Sequence, residues 1–249
     1  MTSFHDLHHG ADPLLIPNAW DFASAAMFAQ AGFAAVATTS LGVAAVAGKP
    51  DAAGATRAET AALARGLARL PVPVSIDLED GFSADPGEVG ALVAELASYG
   101  VAGVNLEDAR GDAGHHAAVV RAVKEAAPGV FLNARTDTFW LGEPDLPETL
   151  RRVAAYQDAG ADGVFVPGIA DDADIQAVLD TARVPLNVLH LPGRTSLPRL
   201  AELGVKRVST GSLLYRAALH AAVGTALELA GRPSLPMPSY ADVERLLRP

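Results

Sequence analysis

Cysteine is absent from all 249 residues. That absence excludes disulfides, thiolate metal sites and a cysteine nucleophile together. Basic residues are scarce as well: 19 Lys and Arg against 29 Asp and Glu leave a formal charge of −10. A nucleic-acid partner is not expected, because phosphate binding needs a clustered cationic surface. No basic region followed by an apolar run opens the chain, so no secretory leader is read. The longest apolar stretch, 212–231, is interrupted by Arg216, His220 and Glu228. A membrane span needs about 20 mostly uncharged residues, and this stretch is predicted to be a buried amphipathic helix. The expectation is a soluble, cytoplasmic protein with neither membrane nor nucleic-acid partners. G-x-G-x-x-G and Walker A motifs are missing too, which disfavours a doubly wound sheet built around a phosphate loop. No Ser/Gly linker or charge block divides the chain, and one domain over 1–249 is expected.

What the chain does have is a rhythm. Short β-prone runs at 14–17, 34–39, 73–78, 103–106, 130–134, 163–166, 186–189 and 207–210 alternate with Ala/Leu-rich helical stretches such as 58–70, 86–99, 116–126 and 146–159. Gly32, Gly100, Gly160 and Gly204 each end a helical stretch just before a strand, the place of a left-handed C-cap. Strands and helices alternating in this way imply βα units and parallel pairing. Eight units in this length predict a (β/α)8 TIM barrel, typically about 250 residues. The tail differs: a Pro-rich connector from 231 leads into a short helix at 240–247. This 231–249 segment is expected to dock on another subunit or to pack under the barrel.

Barrel active sites lie at the C-terminal ends of the strands, and the polar residues there repeat a pattern. Asp77 and Glu79, Asn105 and Glu107, and Asn133 and Arg135 are i, i+2 pairs that alternation places on one face. Clustered carboxylates repel unless a cation neutralises them. Oxygen ligands without Cys or paired His point to magnesium, with manganese as the other candidate. Asp77, Glu79 and Glu107 are therefore the candidate metal ligands. The segment Thr39-Ser40-Leu41-Gly42 offers hydroxyl and backbone N–H groups for a carboxylate. His190, directly after the seventh strand, is a candidate catalytic residue, whereas His5, His8 and His9 read as a frayed, solvated terminus.

These phrases, with Pro17-Asn18-Ala19-Trp20-Asp21, Asp77-Leu78-Glu79-Asp80-Gly81-Phe82, Asn133-Ala134-Arg135-Thr136-Asp137 and Gly211-Ser212, resemble the isocitrate lyase/phosphoenolpyruvate mutase superfamily over most of the chain. The resemblance implies a barrel whose last helix is swapped between subunits, commonly in a dimer of dimers. It also implies a magnesium-dependent enzyme that breaks or rearranges C–C or P–C bonds of 2-oxo acids. On the matching positions, Asp77 is the principal metal-side carboxylate, and Glu79 stands where the motif usually has a second Asp. Glu107 is the acid that orders metal-bound water, and Arg135 contacts substrate. Ser40, Leu41, Gly42 and Asn133 are the remaining substrate-side positions, and Asp51 falls near a catalytic Asp of the phosphonomutase branch.

One departure is large. Lyase members carry Lys-Lys-Cys-Gly-His or Lys-Arg-Cys-Gly-His after the fourth strand, with the Cys as acid/base. Here Glu107-Asp108 runs into Ala109-Arg110-Gly111-Asp112 and has no thiol. Decarboxylation does not need that acid, because carbon dioxide leaves without a proton. The expected function is thus a magnesium-dependent lyase of the oxaloacetate decarboxylase kind. Phosphonopyruvate P–C chemistry is the alternative, and a non-catalytic dicarboxylate-binding barrel is a second one.

Overall fold

The computed structural model describes residues 3–248. Nine strands form one parallel sheet in the order β1-β9-β8-β7-β6-β5-β4-β3-β2. The first predicted strand is two short ones, β1 (Leu14–Ile16) and β2 (Asn18–Ala19). Pro17 lies between them and, having no N–H, cannot carry the ladder onward. β1 pairs with β9 (Arg207–Ser209) and β2 with β3 (Val36–Thr38). Chain continuity through Pro17 therefore closes the barrel, and the fold is the expected TIM type. The other strands are β4 (Val74–Asp77), β5 (Gly103–Glu107), β6 (Phe131–Arg135), β7 (Gly163–Val166) and β8 (Leu186–Leu189).

The helices are α1 (Phe22–Gln30), α2 (Ser40–Val46), α3 (Arg57–Leu67), α4 (Pro86–Tyr99), α5 (Ala113–Ala126), α6 (Leu146–Asp158), α7 (Asp172–Thr181), α8 (Leu197–Leu203), α9 (Leu213–Leu229) and α10 (Tyr240–Leu247). α4 has the predicted bounds, fixed by the Asp85 side chain capping Gly87 N at 2.7 Å and by Gly100 in the left-handed region. α5 begins three residues before its predicted start, because Asp112 accepts from His115 N at 2.7 Å and caps an earlier turn.

Aliphatic side chains of the strands and outer helices form the main core between the two layers. The barrel lumen is polar by contrast: Ser75, Asn105, Asn133, Asn187 and Arg207 are all buried. Its lower end is plugged by the N-terminal segment, and here the expectation of a solvated terminus fails for His8. Its ring stacks on Phe131 at 4.0 Å and its Nδ1 bonds Phe4 O at 2.8 Å. Burial pushes its pKa down to about 3, so this His is a neutral piece of aromatic packing.

Two other expectations change. Ser40-Leu41-Gly42 is the first turn of α2 and not an irregular turn. α9 is not buried within the chain; of its residues only Tyr215 is, and Val223 and Leu229 face outward. Tyr215 and Leu219 pack with Leu41 and Val243, and the helix beyond them is left half-buried or exposed. Among the described residues, no helix is long and apolar enough to cross a membrane.

Gly168 shapes the loop after β7. Its φ is +89°, and a Cβ there would stand 2.4 Å from Phe139 O, a backbone atom that cannot swing aside. Gly168→Ala is expected to cost about 2–4 kcal/mol, combining left-handed strain with overpacking. A urea melt with unchanged m-value would read that loss.

Candidate active site

Three consecutive strands deliver the polar cluster. β4 ends at Asp77, and Glu79 follows with φ of 52°, which keeps its carboxylate at the rim. β5 ends at Glu107 and β6 at Arg135, and these two are register partners. Asp51 arrives from the loop between α2 and α3. These residues line one cavity of about 620 Å³ at the carboxyl ends of the strands, together with Ser40, Leu41 and His190. Gly42 and Asn133 do not line it. A Cβ on Gly42 would sit 2.6 Å from Trp20 Cβ, so this residue permits close packing behind the wall. Asn133 lies under the floor and donates to Asn105 Oδ1 at 2.9 Å.

Arg135 organises the acids. Its Nη1 meets Glu107 Oε2 at 2.7 Å and its Nε donates to Asp137 Oδ1 at 2.6 Å, while Nη2 has no acceptor among the described residues. Asp137 also belongs to this cluster, on the same alternation that pairs Asn133 with Arg135. Ser40 N donates to Asp77 Oδ2 at 3.2 Å. Glu79 is held at both oxygens, by Thr56 Oγ1 at 2.7 Å and Gly54 N at 3.1 Å. Beneath the floor, Arg207 reaches Asn105 Oδ1 at 3.3 Å and Ser75 Oγ at 3.4 Å, and among the described residues it has no carboxylate partner.

Acids outnumber cations here, and burial acts on each of them. Burial pushes Asp77 up, Arg135 and the Ser40 N–H oppose, and Asp51 adds to the rise. Glu107 is pushed up to about 8 by burial and by Asp137, Asp77 and Asp51, against Arg135. Burial works against the charge on Arg135, but Glu107, Asp137 and Asp77 outweigh it and keep the guanidinium protonated. Because the folded value of Glu107 lies above its ordinary 4.5, its stabilising share is complete below about pH 4.5. That share is lost as pH rises through about 8. In chelator, the wild-type Tm is expected to fall from pH 5 to 8 more steeply than that of Glu107→Gln, at about 2–4 °C per kcal/mol.

The donor set suits a hard cation. Oxygen is its main donor type beside His190, and among the described residues the buried Asp51 Oδ1 and Asp137 Oδ2 have no hydrogen-bond donor. Among the described residues, no three His, Cys, Asp or Glu side chains form a ready-made cage. Asp77, Glu79 and Glu107 share the cavity without converging, because Thr56, Gly54 and Arg135 already engage the latter two. Magnesium matches such a site, since it keeps several waters and takes only one or two carboxylates.

The loop after β5 is pinned. Asp108 accepts from Tyr156 Oη at 2.6 Å, Arg152 Nη1 at 2.7 Å and Asp137 N at 3.0 Å. Arg110 bonds Leu141 O and reaches Glu143 O at 3.0 Å. Burial opposes ionisation of Asp108, yet these donors hold it below the usual carboxylate range. The mouth is covered instead by α10, which packs on α2 within the same chain and puts Tyr240 and Glu244 on the cavity wall. The sequence announced this helix but carried no signal of where it lands.

The family model for phosphoenolpyruvate phosphomutase matches residues 4–230. An uncharacterized protein of Mycobacterium tuberculosis is 43% identical, over 98% of this chain and 96% of its own length. The 2-methylisocitrate lyase of Bacillus subtilis is 30% identical over 74% of this chain and 64% of its own. The oxaloacetate decarboxylase of Ectopseudomonas mendocina is 31% identical over 71% and 65%. The chain thus spans just under two thirds of these two enzymes. A solved structure of a putative lyase/mutase from Burkholderia cenocepacia superposes with a TM-score of 0.85 at 39% identity, covering 92% of this chain and 87% of that one. On these matches the chain belongs to the phosphoenolpyruvate phosphomutase family and is an enzyme of the phosphoenolpyruvate mutase/isocitrate lyase superfamily.

Proposed function

We propose that the protein is a magnesium-dependent lyase that decarboxylates oxaloacetate to pyruvate. The observation that carries this reading is the pairing of an acid–Arg135 cavity with a loop after β5 that has no thiol and is tied down by Asp108 and Arg110. Breaking the bond to a departing carboxylate requires no proton for the leaving group. Cleavage of an alkylmalate does require acid/base help for its departing fragment.

The roles follow from the geometry. Arg135 presents its free Nη2 to the substrate carboxylate, and its other nitrogens are fixed by Glu107 and Asp137, so the guanidinium is oriented before substrate arrives. The first-turn N–H of Leu41, which lines the cavity, has no intrahelical acceptor and adds a second anchor. Asp77, with Glu79 and Glu107 beside it, would hold magnesium, which would supply Lewis-acid stabilisation to a bound 2-oxo acid. His190 stands on the wall with Nδ1 3.3 Å from Thr195 Oγ1, a tether that sets its ring without committing it to proton transfer.

Oxaloacetate with magnesium is expected to yield pyruvate well above the rate of the metal alone. Equality with the metal blank would sink the reading. Phosphonopyruvate belongs in the same assay, because the matching family model is that of a P–C bond enzyme. We further propose a homo-oligomer in which a second copy covers the outward face of α9, where Val223 and Leu229 are exposed. A monomer in analytical ultracentrifugation would exclude that assembly.

A further inference from the structure

We propose that Tyr240 of α10 is the proton donor to C3 of the pyruvate enolate, with Asp51 as the group that resupplies it. The inference rests on the decarboxylase reading above. It answers what that reading leaves to bulk solvent, namely where the incoming proton originates.

Tyr240 Oη donates to Asp51 Oδ2 at 2.7 Å, and both side chains line the cavity that holds Arg135 and Asp77. The pair is fixed from several sides. Glu244 Oε1, one turn along α10, accepts from Asp51 N at 2.9 Å. The Tyr240 ring stands edge-on to Trp140 at 5.7 Å. Arg216 Nη1 donates to Pro238 O at 2.8 Å and anchors the entry to the helix, which Ser239 caps by accepting from Asp242 N at 3.1 Å. The phenol is therefore a placed group, not a surface residue that happens to face inward.

Protonation states agree with a donor. Burial and the neighbouring Asp51 hold the Tyr240 phenol above its ordinary range, so it carries its proton at neutral pH. Burial also raises Asp51, against the Tyr240 bond, and its Oδ1 has no partner among the described residues. The loop after β5 supplies no competing donor through Asp108, which lies off the cavity wall and is engaged by Arg152 and Tyr156.

The step balances without a redox partner. After carbon dioxide leaves with the C3–C4 bond broken, the enolate electron pair forms a C3–H bond with the Tyr240 proton. The phenolate left behind takes a proton from the Asp51 carboxyl group. Asp51 regains its own from water at the mouth.

Tyr240→Phe deletes one hydroxyl and keeps the ring on Trp140. Two readouts apply to the magnesium-loaded protein in D2O. One is exchange of the methyl protons of pyruvate, followed by NMR. The other is the face on which 3-methyloxaloacetate is deuterated, with the 2-oxobutanoate product trapped by reduction. Wild type should exchange and should deuterate one face. Tyr240→Phe should lose about 100-fold or more of the exchange and give racemic product, and Asp51→Asn should slow exchange while the single face persists. A folded Tyr240→Phe protein with wild-type exchange and one-face labelling overturns the assignment. Racemic product from a wild type that does decarboxylate also overturns it, while leaving the decarboxylase intact. A wild type that neither exchanges nor decarboxylates removes both.

Discussion

Arg135→Met is expected to abolish pyruvate formation and to cost about 3–5 kcal/mol of stability, the range for breaking one side of a buried ion pair. The side chain is 14% exposed and contacts Glu107 at 2.7 Å and Asp137 at 2.6 Å. Removing it strands both carboxylates in a place they already resist being charged. The two losses can be separated. Adding Glu107→Gln to Arg135→Met leaves one fewer uncompensated acid and should recover a substantial part of the Tm, with no return of turnover. If the double variant melts no higher than the single one, Arg135 stabilises by packing and not by charge.

Asp77→Asn should act in the opposite sense on the two properties. Turnover is expected to fall by about 10³-fold or more, the scale of several kcal/mol of lost charge stabilisation at 1.36 kcal/mol per decade. Stability without divalent cation is expected to rise. Burial holds the folded pKa of Asp77 above its ordinary 3.8, so its contribution is complete below about that pH and is lost as pH climbs. Asn keeps the shape and the Ser40 N–H partner and removes that loss at neutral pH. A thermal melt at pH 7.5 in chelator checks the sign. An Asp77→Asn protein that is both less stable and still active would mean that the carboxylate is structural.

Much of this site could be read along the chain because βα geometry is regular. Strand ends are where barrels keep their chemistry, and alternation with period 2 told which of Ser75 to Glu79, Asn105 to Glu107 and Asn133 to Asp137 share a face. It could not tell depth. Asn133 and Arg135 point the same way, yet one residue pair separates floor from cavity, and only Arg135 reaches the open space. Register across the barrel sets that level, and register is a tertiary property. Tyr240 and Glu244 were beyond reach for a related reason: nothing local in an eight-residue amphipathic helix specifies the loop around Asp51 as its seat. The burial of His8 has no local signal, because Phe131, the ring it stacks on, belongs to β6 and meets the N-terminal segment only in the folded barrel.

The tethering of Asp108 and Arg110 has a calorimetric consequence. An enzyme that folds a flexible segment over its ligand must freeze that segment at each encounter, with a large negative heat-capacity change and an entropic cost. Here the corresponding segment is immobilised in advance by Arg152, Tyr156 and the carbonyl of Glu143. Oxalate should therefore bind with a small heat-capacity change, and its affinity should owe little to backbone freezing. The entrance was set when the chain folded and does not have to be rebuilt with every ligand.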